Sequence, residues 1–439
     1  MAYNIMCGTG RADITPPLGT ILYGYAPGRP AESVGDPLDV TAIMVTTNEE
    51  KVLMISCTIC EIYKELSLEL RAMAGEAAGV PAENVILNVT HTHSGPNTSV
   101  KSGWGEVDYP YIENYLKPGV VKAAEEAGKN LKPALVGFGE TESEVGINRR
   151  ELTEDGRIIL GQNPWAPRDK KMTVISFKGE DGKIIANMVH YSCHSTASGM
   201  NPEITRDWPG VMVDMLEEET GGVTAFFAGL EGDQGPNLPN GRTTGNYKMA
   251  LQHGAKAGFD AIRAFNTIKE WRDVPVKVLH DTIRIPFNAL PSKEKAEEEL
   301  KRLGTLEEIY AEKRYPDVNE YLHWKAVLGE YESGEPLKTH WEFDQSIVTI
   351  GPAAIIPTPF EPFIEIGLRL RRHSPFQYTI SLCITHGANA YLPTLGEVDR
   401  GGYEIWYFLA SPRTLYPLPR NTDDYWVKQN LEILRGNKL

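Results

Sequence analysis

Two histidine-bearing runs stand out in the 439 residues because their side chains could hold a metal ion or move protons. The first is Val89-Thr90-His91-Thr92-His93-Ser94-Gly95-Pro96-Asn97, which closes the apolar run Val85 to Val89. In an extended chain, residues i and i+2 project to the same side. His91 and His93 can therefore share one site, one imidazole binding a metal while the other faces a substrate. Ser94-Gly95-Pro96 then turns the chain sharply, and loops at strand ends are where sites are usually built. A pair of capping histidines is the alternative. The second run is His190-Tyr191-Ser192-Cys193-His194-Ser195-Thr196, again at the end of an apolar stretch. Spacing allows either histidine as a ligand. His190 falls inside the strand pattern and His194 just beyond it, which favours His194 as the ligand and His190 as a packing or supporting group.

Acidic and glycine-rich segments supply further candidates. Gly229-Leu230-Glu231-Gly232-Asp233-Gln234-Gly235-Pro236-Asn237 lacks the lysine and hydroxyl of a phosphate loop and offers carboxylates instead, with glycines that let backbone approach a ligand. Asp233 could orient one of the histidines; a plain surface turn is the alternative. Glu361 stands among prolines in Pro357-Thr358-Pro359-Phe360-Glu361-Pro362-Phe363, at the start of a helical pattern, where a rigid frame could present its carboxylate to a metal. Acidic residues at helix starts are also common capping groups. Tyr391 lies twelve residues before Tyr403-Glu404 in the last polar cluster. Cys57 and Cys60 form a lone C-x-x-C at the end of an apolar stretch, which reads as a buried strand end more readily than as a redox or zinc site.

The elements that must position these residues alternate between strand and helix, which predicts a mixed α/β (α+β) fold with mixed sheets and flanking helices. Strands are expected at 41–46, 52–58, 85–90, 134–138, 172–177, 184–191, 223–227, 343–350, 353–357 and 378–384. Helices are expected at 64–79, 109–130, 245–267, 360–372 and 423–435. Asp207 reads as the N-cap of another, with Pro209 in its first turn and Gly221-Gly222 as its stop. Residues 292–332, rich in Glu, Lys, Tyr and Leu, predict a solvated helical excursion from one large domain spanning 1–439.

Composition narrows the class of partner. With 44 Lys+Arg against 59 Asp+Glu the net charge is −15, and basic residues occur only in short pairs, so nucleic acid is not expected. No eighteen-residue apolar run exists, which excludes stable membrane insertion through a helix. The start of the chain has no signal-like apolar segment, and five dispersed cysteines suit a reducing compartment, so a cytoplasmic location is expected.

Taken in order, the motifs resemble the N-terminal catalytic region of the neutral/alkaline non-lysosomal ceramidase family. Gly8-Thr9-Gly10-Arg11-Ala12-Asp13-Ile14-Thr15-Pro16 resembles its opening, and His91-Thr92-His93-Ser94-Gly95-Pro96 its most distinctive motif. Asn148-Arg149, His194-Ser195-Thr196, Pro359 to Phe363, and Tyr391 with Tyr403-Glu404 follow in the same order. The resemblance implies a Zn2+ ion held by His91, His194, Glu361 and Tyr391, with His93, Arg149 and Tyr403 as catalytic groups. Asn148, Asp233 and Gly235 would then lie on the substrate side. Gly235 stands where the family carries a loop serine, so hydrolysis would use zinc-activated water. The family's C-terminal immunoglobulin-like domain is not expected in this chain.

These features predict a zinc-dependent hydrolase cleaving an amide, or less favourably an ester or lactone, in a small soluble molecule. The rival readings are a zinc enzyme acting on a sugar or polyol as lyase or glycosidase, and a catalytically dead binding protein. Homo-oligomerisation is left open by the sequence.

Overall fold

The computed structural model describes residues 4–25, 28–100, 105–410 and 415–436. Eight strands form its largest sheet: β1 (Met6–Asp13), β2 (Asp39–Thr46), β3 (Lys51–Cys57), β4 (Val85–Val89), β5 (Lys132–Glu142), β6 (Lys171–Gly179), β7 (Ile184–Tyr191) and β8 (Val223–Ala228). Their order is β8-β7-β6-β5-β1-β2-β3-β4. Neighbours run antiparallel except at the two edges, where β7 pairs with β8 and β3 with β4 in parallel.

Both faces of this sheet are buried, and the residue alternation shows what covers each. Val40, Ala42 and Met44 of β2 join one apolar cluster with Leu53 and Ile55 of β3. Ile43, Val45, Val52 and Met54, the intervening residues, join another. The first cluster is closed by helices α1 (Lys64–Ala78), α2 (Lys117–Lys129), α3 (Asp207–Thr220) and α4 (Tyr247–Asn266). The second is closed by a four-stranded sheet, β9 (Val276–Pro286), β10 (His340–Ile350), β11 (Ala353–Pro357) and β12 (Tyr378–Leu382), parallel only between β11 and β12. Later helices pack on the outside of that sheet, giving a helix–sheet–sheet–helix stack.

The wider helix expected at 109–130 forms, with a π turn over Ile112–Leu116 just ahead of Pro118. Proline lacks an N–H and crowds the carbonyl four residues back, and the wider turn accommodates it. The expected excursion contains α5 (Lys293–Leu303), α6 (Leu306–Ala311) and α7 (Tyr315–Glu332). It is less solvated than its charge suggests. Leu303, Ile309 and Val318 form a small core of their own, and Ala296 and Val327 pack with Leu290 and Tyr416 of the main body.

Two boundaries differ from expectation. Arg206, not Asp207, is the N-cap of α3; Asp207 sits inside the first turn with φ +59°. From there its carboxylate accepts the N–H groups of Ala197, Ser198 and Trp208, so it ties the helix start to the loop after His194. The late helix α8 (Ile364–His373) begins after Glu361, which instead lies in a two-residue bridge, Glu361–Pro362, parallel to Tyr391–Leu392. Helices α9 (Tyr403–Ala410) and α10 (Thr422–Arg435) close the fold.

The sheets converge where their parallel edges meet. Asn88 of β4 accepts from Ala228 N–H at 3.0 Å and donates to Cys383 O at 2.7 Å and to Thr385 Oγ1 at 3.0 Å. One buried amide thus joins β4, β8 and the end of β12. His91 follows β4, His194 follows β7, Glu231 follows β8, Glu361 follows β11 and Tyr391 follows β12. All five leave the carboxyl ends of parallel-paired strands, where open α/β sheets place their ligands.

Candidate metal centre and active site

His91 does not continue the strand, as an extended His-Thr-His pair would require. Its φ is +60°, in the left-handed region, and the chain turns there. The turn is held by His91 N–H donating to Ile59 O at 3.0 Å and by His91 Nδ1 bonding to Cys60 O at 2.7 Å. The rings of His91 and His93 still meet, edge to face, with centroids 4.7 Å apart. His194 is oriented in the same way by backbone: its Nδ1 lies 2.7 Å from Glu231 O and 3.0 Å from Gln234 O. Trp208 Nε1 fixes the His194 carbonyl at 2.9 Å.

Because Nδ1 of both histidines faces a carbonyl acceptor, Nδ1 carries the proton and Nε2 presents a lone pair. His194 Nε2 lies 3.3 Å from Glu361 Oε2, and His91 Nε2 lies 3.7 Å from the same oxygen. Among the described residues neither His194 Nε2 nor Glu361 Oε2 has a hydrogen-bond partner, although both are buried. Three acceptor lone pairs facing one another in a dry site repel unless a cation lies among them. The donor set, two imidazoles and a carboxylate with ligand atoms within 4.8 Å of one another, fits zinc. Burial, helped by nearby Arg149 and His91, pushes His194 well below its ordinary pKa and keeps it neutral, as ligation requires.

Tyr391 lies beside Glu361 through the parallel bridge, and Glu361 N–H donates to Ala390 O at 3.0 Å. Burial first, and then the Glu361 charge, push the Tyr391 phenol well above its ordinary value. Arg149 Nη2 donates to the Tyr391 hydroxyl at 3.0 Å. The guanidinium itself is buried and is carried by Glu404, whose two oxygens take Arg149 Nε at 3.0 Å and Arg150 Nη1 at 2.7 Å. Tyr403 packs edge-on against Tyr391 with centroids 5.7 Å apart. His93 Nε2 lies 3.2 Å from His91 Nε2, and burial followed by its two histidine neighbours holds His93 well below its ordinary pKa.

Asn148 and Gly235 lie in a three-stranded sheet of Ile158–Asn163, Gly146–Leu152 and Gln234–Pro236, and Asp233 immediately precedes its last strand. Asn148 Nδ2 donates to Asp233 Oδ2 at 2.8 Å, and Asp233 Oδ1 takes Ile364 N–H at 2.8 Å. Asp233 therefore anchors the start of α8 and orients neither histidine; burial raises its pKa to about 6. Asn148 and Asp233 line a cavity of about 630 Å³ with Arg150, Trp165 and Glu397, on the face of the strand opposite Arg149. Gly235 pairs with Ile147, so its α-carbon faces the same side as Arg149. A Cβ added there would lie 2.7 Å from Thr243 Cβ, so Thr243 fills that space.

His190 is no ligand. Its Nε2 bonds to Ser381 O at 3.1 Å, and burial lowers its pKa to about 4. Cys57 and Cys60 are both buried, and burial raises the Cys57 thiol. Glu404 and Glu231 were not given these roles by the sequence: one carries two guanidiniums, and the other's carbonyl sets the His194 tautomer.

Residues 3–256 match the family model described as neutral/alkaline non-lysosomal ceramidase, N-terminal. The chain belongs to this ceramidase family. Among its relatives, neutral ceramidase B of Dictyostelium discoideum is 27% identical over 266 residues, covering 52% of this chain and 35% of that protein. The neutral ceramidase of Pseudomonas aeruginosa is 26% identical over 254 residues, covering 53% and 37%. The matches thus span little more than a third of the curated relatives' length. In three dimensions the ceramidase-family chain superposes on the crystal structure of the Pseudomonas aeruginosa neutral ceramidase with a TM-score of 0.72 at 18% identity, covering 100% of this chain and 76% of the other. A ceramidase solved in complex with C2 matches with the same TM-score. The mixed α/β fold is therefore that of the ceramidases. No described helix is long and apolar enough to cross a membrane.

Proposed function

We propose that this chain is a zinc-dependent hydrolase that cleaves an amide bond. The observation that carries the proposal is the convergence of His91 Nε2, His194 Nε2 and Glu361 Oε2, three buried acceptors that need a cation. His91, His194 and Glu361 would hold the ion, with Tyr391 beside them as the further ligand that the family resemblance implies. When bound, zinc lowers the pKa of a water and polarises a carbonyl.

The protein's own groups then divide the remaining work. Arg149, fixed by Glu404 and charged throughout the accessible pH range, steadies negative charge on the carbonyl oxygen in a buried site. His93 is neutral and its buried Nδ1 has no partner among the described residues, so it can accept a proton from the attacking water and return it to the leaving nitrogen. Tyr403 braces Tyr391. Asn148 and Asp233 support the strand that carries Arg149. Gly235 offers no nucleophile, and this supports attack by water.

The relatives are named ceramidases, so ceramide replaces a small soluble compound as the first amide to test, ahead of short acyl amides, esters and lactones. Metal analysis of the wild type beside His91→Ala, His194→Ala and Glu361→Gln decides the centre. About one zinc per chain is expected in the wild type, with loss of zinc and of amide turnover in each variant. Full zinc retention in His91→Ala and His194→Ala would refute the site, and stoichiometric zinc with every amide inert would refute the reaction.

A further inference from the structure

Among the described residues, the buried polar atoms around the histidine cluster that lack a protein partner include Tyr25 Oη, His93 Nδ1, His194 Nε2 and Glu361 Oε2. A cation accounts for the last two, and proton transfer for the second. Neither accounts for the Tyr25 hydroxyl. A buried hydroxyl without a partner destabilises a fold, so its persistence points to a partner from outside the chain.

The segment around Tyr25 is built to keep that hydroxyl in place. Gly24 has φ +102°, and a Cβ there would lie 2.4 Å from His93 Cγ, so only glycine lets the chain lie flat on the His93 ring. Arg29 donates to Tyr23 O at 3.2 Å, Asn201 O at 3.0 Å and Gly199 O at 3.3 Å, and also to His93 O. It thereby ties Tyr23 to both histidine loops. Its guanidinium also lies 5.1 Å above the Tyr25 ring centre. On another side the Tyr25 ring meets His93 edge-on, with centroids 4.9 Å apart. The ring is thus held against two groups while its hydroxyl bonds to none of the described residues.

We infer that Tyr25 is a further catalytic residue, whose hydroxyl donates a hydrogen bond to an oxygen of the substrate's scissile group beside His93. This rests on the hydrolase reading given above. Burial keeps the phenol protonated, so it acts as a donor and not as a base. With Arg149 it supplies a second donor to the site, from a segment more than a hundred residues away in sequence. No proton need leave Tyr25.

Tyr25→Phe in the zinc-loaded protein tests this with two readouts, ceramide or short acyl amide turnover and calorimetric binding of acetohydroxamate, a zinc-chelating oxygen donor. The expected result is a fall in kcat/KM of about 10- to 100-fold, mostly in kcat, and acetohydroxamate binding about tenfold weaker. Zinc content should be unchanged and Tm equal to or above wild type, because the hydroxyl contributes no bond to the free protein. Acetohydroxamate binding equal in variant and wild type, no binding in either, or loss of zinc from the variant would each overturn the assignment. If the wild type turns over no amide but Tyr25→Phe still weakens acetohydroxamate, Tyr25 keeps its role and the amide reading fails.

Discussion

Glu404→Gln is the sharpest probe of how Arg149 is held. Glu404 is 1% exposed and neutralises two guanidiniums that are themselves buried, Arg149 at 3.0 Å and Arg150 at 2.7 Å. Arg150 retains Glu397 at 3.0 Å and the Gly401 carbonyl at 2.7 Å, but among the described residues the Arg149 guanidinium keeps only the Tyr391 hydroxyl as a hydrogen-bond partner. Removing one partner of a buried pair costs about 3–5 kcal/mol, and the second carboxylate on Arg150 places this case near the lower figure. With an unfolding entropy of about 2 cal/mol/K per residue, a loss of about 3 kcal/mol lowers Tm by about 3 °C for a chain of this size. Urea denaturation of wild type, Glu404→Gln, Arg149→Met and the double variant measures the coupling. Each single substitution should be strongly destabilising, and the double should lose at least about 2 kcal/mol less than their sum. A Glu404→Gln loss below about 1 kcal/mol, or strict additivity, would refute the claim that this carboxylate carries the Arg149 charge.

Other expectations follow from individual contacts. Gly235→Ser should be destabilised by about 1–3 kcal/mol through its clash with Thr243, and Thr243→Ala in the same chain should recover most of it; a melt of Gly235→Ser equal to wild type would refute the clash. His190 resists a proton that the unfolded chain takes up near its ordinary value of 6.5. Its contribution is therefore intact above that pH, falls as pH drops, and levels off below about 4, a loss of up to about 3 kcal/mol. His190→Gln should flatten the acid limb of the stability curve between those values, and an unchanged limb would exclude His190 as its source. Chelation of zinc should lower Tm, and restoring zinc should raise it in a concentration-dependent way, because the ligands converge only in the folded chain.

Much of this arrangement is legible in the residues, and the parts that are not have identifiable reasons. The strands β2, β3, β4, β7 and β8 are short apolar runs bounded by turn residues, and these declare a mixed sheet. The opening strand β1 does not, because Gly8 and Gly10 read as turn residues. In the fold they let α2 approach: a Cβ on either would lie 2.2 Å or 2.1 Å from the carbonyls of Ala127 and Ala123. His91, His194 and Glu361 can be found because their side chains are rare and chemically distinct. Their orientation cannot, since Cys60 O, Glu231 O and Gln234 O set it through backbone, which every residue possesses. The left-handed turn at His91 is hidden for a related reason: nothing in Val-Thr-His-Thr-His distinguishes it from a continuing strand. Asp233 misleads in the opposite direction. A carboxylate in a glycine-rich loop suggests support for a ligand, whereas here it ends on Asn148 and the first N–H of α8.

The candidate ligands come from segments on either side of the excursion of α5 to α7, His91 and His194 before it and Glu361 after. A bound ion therefore acts as a removable rivet between two long stretches of polypeptide. A protease that cut within the excursion would sever the chain while the two pieces stayed joined by the pairing of β9 with β10, by the packing of that sheet on the larger one, by the Asn88 amide and by the metal. Such a nicked molecule would come apart more readily once the ion was withdrawn, so the centre would contribute to the protein's cohesion as well as to its chemistry.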